Sequence, residues 1–228
     1  MSARAGRPRV IANFALSADG KVSTRNFTPT GFTSKADKRR LLEIRCLGDA
    51  VLAGASTIST DRMSMGIPAS DLRERRRAIG QSPQPLRVIV SNRGTIDPLW
   101  KVFQRPGSQV IAFSTQKMPK NLRPSIARLA DLWIFDSPKV DIAIMLRILR
   151  SDYWVRTLVC EGGPRLFRAL LEIGACDELH LTWTPLIFGG AGAPTLTGIP
   201  DAFLPKTIRC RLKKIQVDGD ECFLTYTF

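Results

Sequence analysis

The chain has 228 residues, of which 34 are basic and 20 acidic, so its formal net charge is +14. A hydrophobic content of 44% with 24% charged residues is typical of a globular domain and excludes a disordered chain. The positive charge attracts polyanions, but the basic residues are scattered and no nucleic-acid-binding motif is found, so we expect a small-molecule ligand instead of nucleic acid.

The first half of the chain alternates short apolar strands with helical segments, which is typical of an α/β domain. Residues 1–8 are polar and basic, and we expect them to form a flexible tail. Ser34 is placed to cap a helix that ends at Leu47. The sequence further predicts strands over 9–17, 49–53 and 86–90, and a basic helix over 72–79.

The second half continues the alternation of strands and helices and then ends in strand-like segments, the last two of which have no helix between them. Strands are predicted over 109–113, 132–135 and 157–160, and helices over 121–130, 139–150 and 166–173. The segments 178–184, 208–217 and 222–228 are strand-like, and an Asp-Gly turn joins the last two as an antiparallel hairpin. We therefore expect a single domain over 1–228, with a mixed, mostly parallel central sheet flanked by helices.

The most informative segment is Glu161-Gly-Gly-Pro164, which lies between a predicted strand and a predicted helix. Two glycines before a helix leave backbone N–H groups that favour an anion such as a phosphate. Pro164 suits the first helical turn, where its missing N–H costs nothing. Glu161 follows a strand, and ligands bind at the carboxyl ends of strands in open α/β sheets. The segment predicts a nucleotide-type ligand beside a reacting group.

Other polar side chains also follow predicted strands, and parallel strands present their carboxyl ends along one edge. A lysine, an acid and a phosphate cradle, without metal ligands or a nucleophile, favour chemistry carried by a cofactor, such as hydride transfer. These strand-end residues are Lys21, Thr57, Asp61 and Ser91.

The sequence lacks the motifs of several other classes of enzyme and of structural site. His180 is the only histidine and is expected to be structural, so no histidine-based metal cluster is expected. No serine-hydrolase elbow or Walker loop occurs, and the glycine-rich run 189–194 is expected to be a turn beside a ligand or a subunit contact. The five cysteines lack CxxC spacing, and no apolar run is long enough to span a membrane, so we expect a cytoplasmic protein without a membrane partner.

Together these residues resemble the reductase domain of riboflavin biosynthesis, found in the bifunctional deaminase-reductase and in the stand-alone diaminopyrimidine reductase. The resemblance implies a dihydrofolate reductase-like fold, NADPH as hydride donor, a phosphorylated pyrimidine substrate and a homodimer. No H-x-E with P-C-x-x-C occurs, so deamination is expected to need another protein. The matching segments are 15–21, 33–34, Arg45, 54–61, 86–91, 161–166, 177–179, 185–190 and 193–194.

The resemblance also implies roles for individual residues. Lys21 and Glu161 are catalytic and flank the pyrimidine and the sugar of the substrate, while Ser34 and Arg45 meet its phosphate. Ala15 contacts the cofactor through its backbone. The other residues expected to hold NADPH are Thr57, Asp61, Ser91, Gly162, Gly163, Pro164, Arg165 and Leu166.

One stretch departs from the family pattern, in which T-x-x-x-D-D-P precedes a leucine and an arginine. Arg62 and Met63 replace the second aspartate and the proline, and Pro68 stands where the arginine is expected. Either Arg62 or a residue of the 73–77 arginine cluster supplies the phosphate contact, or the pocket accepts a different heterocycle.

Three functions therefore stay open at this point. The first is NADPH-dependent reduction of a ribosylaminopyrimidine 5′-phosphate to its ribitylamino product. The second is reduction of a pterin or another heterocycle on the same fold. The third is a non-catalytic nucleotide- or RNA-binding protein, and the preference between NADPH and NADH is also open.

Overall fold

The computed structural model describes residues 6–23, 34–104, 107–198 and 204–228. The strands are β1 (Arg9–Leu16), β2 (Ala50–Gly54), β3 (Leu86–Ser91), β4 (Val110–Thr115), β5 (Asp131–Phe135), β6 (Thr157–Cys160), β7 (Glu178–Trp183), β8 (Arg211–Asp218) and β9 (Glu221–Thr227). The helices are α1 (Lys35–Leu47), α2 (Ala55–Asp61), α3 (Ser70–Ala78), α4 (Lys101–Gln104), α5 (Arg123–Ala127), α6 (Ile142–Ser151) and α7 (Pro164–Glu172).

The strands form one nine-stranded sheet in the order β5-β4-β3-β2-β6-β1-β7-β9-β8. All pairs from β5 to β7 are parallel, while β9 pairs antiparallel with both β7 and β8. Gly219, with φ +59°, supplies the left-handed turn of the β8–β9 hairpin. The predicted mixed sheet with an antiparallel C-terminal hairpin is confirmed.

The core lies on both faces of the parallel strands, which explains their continuous apolar runs. On one face, Met145 and Leu149 of α6 and Leu170 of α7 pack against the sheet. On the other face, Ile44 of α1 and Ile58 of α2 belong to a second buried cluster. The helices therefore flank the sheet on both sides, as the alternating pattern predicts.

The local signals place several boundaries correctly. Ser34 caps α1, with its Oγ accepting a hydrogen bond of 3.1 Å from the Asp37 N–H, and Pro164 begins α7. The sequence missed the short α4, and it began β8 three residues too early, at 208 instead of Arg211. Thr33, part of a matching segment, lies outside the described residues.

The predicted flexible tail of residues 1–8 is wrong for its last part. Arg7 forms an ion pair of 2.7 Å with Asp177, and Pro8 is buried, so this stretch packs on the domain. Residues 1–5 lie outside the described residues. Within the described part of the chain, no helix is both long and apolar enough to cross a membrane.

Candidate active site

The predicted site residues follow four strands that are neighbours in the sheet, in the order β3-β2-β6-β1. Ser91 ends β3, Thr57 lies in the helix after β2, Glu161 follows β6, and Lys21 lies just beyond the end of β1. Because these strands are parallel, the structure brings all four residues to the end of the sheet at which the strands have their carboxyl termini.

The glycine segment, which we define as residues 161–166, lies close to the start of α2. A Cβ added to Gly163 would lie 2.8 Å from the Oγ1 of Thr57. One added to Gly162 would lie 2.4 Å from the Leu166 Cδ2 and 3.3 Å from the backbone nitrogen of Gly54. No side chain caps the start of α7. A side chain at either position would crowd these neighbours, so the two glycines permit the close approach of the segment to α2.

A gap opens beside Ala15, between the ends of β1 and β2. The pairing of β1 with β6 ends at Ala12 and Cys160, although β1 continues to Leu16. The pairing of β2 with β6 likewise ends at Leu52 and Cys160. Two strand spacings separate β1 from β2, or about 10 Å, and the glycine segment leaves β6 at the base of this gap.

Glu161 and Arg45 form a buried, two-pronged ion pair. The Arg45 Nε donates to the Glu161 Oε1 at 2.6 Å, and its Nη2 donates to Oε2 at 2.7 Å. The Nη1 donates to the carbonyl oxygen of Gly66 at 2.6 Å. Only 8% of the Arg45 side chain and 4% of the Glu161 side chain are exposed. The guanidinium predicted to meet a phosphate thus faces the predicted catalytic carboxylate.

The turn that carries Lys21 is held by Ser17 and Asp19. The Ser17 Oγ accepts a hydrogen bond of 2.9 Å from the Lys21 N–H and donates one of 2.6 Å to Asp19. Asp19 also accepts from the backbone N–H groups of Phe188 and Gly189. The Ser17 hydroxyl and then the Phe188 N–H lower the pKa of Asp19 to about 2. The glycine-rich run therefore docks on the Lys21 turn.

The stretch that departs from the family pattern, which we call the 62–68 loop, is held by two buried side chains of its own and by hydrogen bonds from a residue outside it. The side chains of Met65 and Ile67 are at most 1% exposed. The Gln84 amide accepts from the Ile67 N–H at 2.7 Å and donates to its carbonyl at 2.8 Å. Two non-glycine residues, Arg62 and Met65, have positive φ values of 48° and 59°. The loop has a defined conformation despite its unusual sequence.

The arginines near this loop differ in their burial and in their hydrogen-bond partners. Arg76 is 1% exposed and donates to the backbone carbonyls of Ser82, Arg45, Cys46 and Gly48. Arg77 pairs with Glu74 on the surface. Arg73 donates to the carbonyl of Pro68, and Arg62 is exposed. Of these four, Arg73 is the cation that donates to Pro68, the residue that stands where the family pattern has its arginine.

Three further predicted residues have structural contacts. The Ser34 hydroxyl donates to the Glu221 Oε2 at 2.5 Å, and its N–H donates to Oε1 at 2.9 Å. Asp61 is half-buried at the end of α2. The His180 Nε2 lies 2.6 Å from a Glu178 carboxylate oxygen, and burial lowers the pKa of this imidazole. The histidine is structural, as the sequence predicts.

Sequence reasoning missed Gln84 and the partnership of Arg45 with Glu161. The two members of that ion pair are 116 positions apart, and no local pattern links them. Among the described residues, no group of three or more His, Cys, Asp or Glu side chains is arranged to hold a metal ion.

The chain is similar in sequence to known proteins over nearly its whole length. A 2,5-diamino-6-ribosylamino-4(3H)-pyrimidinone 5′-phosphate reductase of Archaeoglobus fulgidus is 28% identical, covering 97% of this chain and 99% of the relative. The RibD protein of Chlamydia trachomatis is 29% identical, but the match covers 84% of this chain and 49% of that protein.

Solved structures show the same fold. A pyrimidine reductase-like protein of Corynebacterium diphtheriae superposes with a TM-score of 0.85 at 20% identity, covering 98% of this chain and 92% of that one. The yeast riboflavin biosynthesis reductase Rib7 gives a TM-score of 0.71 at 18% identity, with coverages of 100% and 92%. The family model of the RibD C-terminal domain matches residues 8–224, and this chain therefore belongs to that family.

Proposed function

We propose that this protein is an NADPH-dependent reductase that converts a ribosylaminopyrimidine 5′-phosphate into its ribitylamino product in riboflavin biosynthesis. The observation that carries the proposal is the gap between the ends of β1 and β2, with the glycine segment at its base. Family membership and the name of the full-length archaeal relative support the same activity.

The cofactor half of the proposed site uses main-chain groups. The start of α7, which no side chain caps, suits a diphosphate, since backbone N–H groups and the helix dipole favour anions there. Ala15 of β1 borders the gap, and we assign its backbone to a contact with the cofactor. Thr57 and Ser91 lie at the same end of the sheet, and with Asp61, the last residue of α2, they complete the set that we assign to NADPH.

When bound, NADPH supplies the hydride that reduces the sugar C1′ of a ring-opened imine, and the protein must orient the imine and deliver one proton. We assign the proton to the Lys21 ammonium, which follows β1. Glu161 accepts hydrogen bonds from the amine or hydroxyl groups of the substrate. Arg73 is assigned to the substrate phosphate because it lies against Pro68, where the family pattern has its arginine.

A homodimer is also proposed, with β8 as part of its interface. Every residue of this edge strand is exposed, including the apolar side chains of Leu212, Ile215 and Val217. An edge strand with exposed apolar residues is a template for pairing with a second chain. Light scattering on the purified protein tests the dimer, and a double Ile215→Lys and Val217→Lys variant is expected to be monomeric.

The activity is tested by mixing the purified protein with NADPH and the phosphorylated ribosylaminopyrimidine and following cofactor oxidation. Lys21→Met is expected to lower kcat by about 10²–10³-fold, as loss of a positioned proton donor does. Lys101→Met, at an exposed lysine in α4, which precedes β4, is the matched control and should leave kcat unchanged. Full activity in Lys21→Met would refute the assigned role.

The two alternatives predict different results in the same assay. A pterin or other heterocycle reductase would oxidise NADPH with dihydrofolate and leave the pyrimidine unreacted. An RNA-binding protein would show no turnover with either substrate and would bind RNA with a steep dependence on salt. The net charge of +14 is the observation that motivates the RNA measurement.

A further inference from the structure

We propose that the neutral imidazole of His180 holds helix α1 against β7 and β9, and that protonation of this imidazole weakens the contact and lowers the affinity for substrate. The part of the proposal that concerns substrate rests on the proposed function. It gives a pH-dependent role to the only histidine of the chain, which has no part in the proposed reaction.

The side chains of β7 alternate between an apolar and a polar environment, as expected for a strand with two covered faces. Leu179 and Leu181 belong to an apolar cluster with residues of α7. His180 and Thr182 face α1 instead, where the Thr182 Oγ1 donates to the Asp37 Oδ1 at 2.6 Å. Helix α1 thus meets β7 through polar groups, so a change of charge there acts directly on the contact.

The two neighbours of the imidazole fix its tautomer. The Arg40 Nη2 lies 3.3 Å from the His180 Nδ1, and a guanidinium only donates, so Nδ1 accepts and carries no proton. The His180 Nε2 lies 2.6 Å from the Glu178 Oε1, and an ionised carboxylate only accepts, so Nε2 carries the proton. The arrangement therefore requires a neutral imidazole with its proton on Nε2.

Arg40 has no carboxylate partner within the described residues, so it depends on this acceptor. Its Nη2 has two other acceptors, the Leu224 carbonyl oxygen and the Thr225 Oγ1, both at the longer distance of 3.5 Å. Its Nε is buried without a hydrogen-bond partner in the described part of the chain, and its guanidinium carbon lies 4.9 Å from the centre of the Phe223 ring. The guanidinium therefore lies between α1 and the sheet with the imidazole as its nearest acceptor.

The surroundings of the imidazole disfavour a further positive charge. The Glu178 Oε2 already accepts from Arg9 at 2.7 Å and from Lys213 at 3.1 Å. Burial lowers the pKa of His180; Glu178 acts against burial, and the charges of Arg40 and Lys213 act with it. From β9, the neutral hydroxyl of Thr225 lies 3.5 Å from Nδ1. Among the described residues, the charged groups around the imidazole and its two partners are Glu178 of β7, Asp37, Arg40 and Glu43 of α1, Lys213 of β8 and Arg9 of β1.

Protonation changes the contact at one atom. A proton on the His180 Nδ1 turns this nitrogen from an acceptor into a donor, so the hydrogen bond from Arg40 is lost and two cations face each other. Ser34 caps α1 and Arg45 lies in its last turn, and family resemblance assigns both to the substrate phosphate. None of the residues assigned to NADPH lies on α1. Weaker attachment of α1 should therefore reduce substrate binding and leave cofactor binding unchanged.

The first test is NMR of the imidazole, which is direct because the chain has a single histidine. The nitrogen shifts at neutral pH are expected to show the Nε2–H tautomer. The titration midpoint of His180 is expected to lie below the ordinary pKa of 6.5, because burial lowers it. The opposite tautomer, or a midpoint at or above the ordinary value, would overturn the proposal.

Charge-removing variants test which groups face the imidazole. Arg40→Met should raise the midpoint because the facing cation is gone, and Glu178→Gln should lower it because the facing anion is gone. Lys38→Met, at an exposed lysine of the same helix, is the control and should leave the midpoint unchanged. An unchanged midpoint in Arg40→Met would contradict the proposal. Should that variant not fold, Arg40→Gln keeps a donor without the charge and serves the same comparison.

Urea unfolding tests the attachment of α1 without any turnover. Because the pKa of His180 is lowered in the folded state, the unfolded chain binds this proton more readily. The free energy of unfolding should therefore fall as the pH drops below the unfolded value of about 6.5. His180→Gln offers an amide that can accept from Arg40 and donate to Glu178 at every pH, so it should lack this decrease. Parallel curves for the two proteins would refute the pH-dependent role.

Calorimetry tests the link to substrate. The dissociation constant of the phosphorylated pyrimidine is expected to rise about fivefold or more as the pH falls through the NMR midpoint, while that of NADPH stays unchanged. His180→Gln should lack the rise, and ionisation of the substrate's own phosphate is common to both proteins. Coinciding profiles would overturn the link from His180 to substrate. If the protein neither binds nor reduces the pyrimidine, the proposed function fails, and NMR and unfolding still decide the role of His180.

Discussion

The glycine segment and the 62–68 loop meet at Arg45 but owe their conformations to different kinds of contact. The glycine segment owes its conformation mainly to residues close in sequence: a buried strand precedes it, and Pro164 begins the helix that follows. Its two glycines also leave room for Leu166 and for the distant Thr57. The 62–68 loop is held by side chains from elsewhere in the chain, namely Arg45, Arg73 and Gln84.

This difference explains which half of the site departs from the family pattern. A segment whose two glycines lie this close to neighbouring atoms tolerates few changes. A loop held through its carbonyl and N–H groups tolerates many, because those groups are present whatever the side chain. The cofactor half therefore matches the family motif, while the loop has changed its sequence and kept a defined path.

The largest expected effect comes from Arg76→Met, which removes the buried guanidinium that joins α3 to the end of α1. The backbone carbonyls of Cys46 and Gly48 would lose their buried donor, while that of Arg45 keeps the Gly48 N–H, and burial of an unsatisfied carbonyl costs about 1–3 kcal/mol. We expect the free energy of unfolding to fall by about 3 kcal/mol or more in urea denaturation.

Arg75→Met provides the control for that experiment, because Arg75 is exposed in the same helix. Its effect should stay within about 0.5 kcal/mol. Equal losses in the two variants would mean that the buried guanidinium does not hold α3 against α1, and the contrast between the two regions would lose its basis.

Gly163→Ala probes the other region and is expected to have the next largest effect. The new methyl group would lie 2.8 Å from the Thr57 Oγ1, and such overpacking costs about 1–3 kcal/mol of unfolding free energy. The affinity for NADPH, measured by calorimetry, should fall as the segment shifts.

Two further variants isolate the steric cause. Gly54→Ala is the matched control, since nothing lies within 4 Å of its added Cβ and its φ is −74°. Adding Thr57→Ala to Gly163→Ala should restore stability, because the clashing oxygen is gone. If stability does not return, the close approach is not what requires glycine.

The same contrast separates what the sequence reveals from what it hides. The strand Thr157–Cys160, the Ser34 cap, the Pro164 helix start and the final hairpin all follow from residues within a few positions of each other. Arg45 and Glu161 are brought together by the tertiary fold, in which β6 lies between β1 and β2. Hydrophobic periodicity does not specify which buried cation faces which buried anion, so the side-chain partners of the site could not be predicted.

Gln84→Ala has a smaller expected effect and tests whether the loop affects binding of the substrate without affecting binding of the cofactor. The Ile67 N–H and carbonyl would lose their shared amide partner, which costs about 1–2 kcal/mol of unfolding free energy. We expect KM for the pyrimidine to rise while KM for NADPH stays unchanged. Gln104→Ala, at an exposed amide, is the control. A matching rise in the KM for NADPH would show that the two halves of the site are not separable.

The smallest expected effect comes from Asp71→Asn at the start of α3, directly after the loop. The Arg39 guanidinium donates to this exposed carboxylate and holds its pKa below the usual range. A lowered carboxyl pKa gives stability above the unfolded value of about 4 and loses it as the pH falls through the folded value. The urea midpoint of Asp71→Asn should therefore differ slightly from that of the unaltered protein at neutral pH, and the difference should vanish in acid and at about 1 M salt. If this surface pair instead raised the KM for the pyrimidine as much as Gln84→Ala does, the loop would be held by exposed charges and not by buried hydrogen bonds.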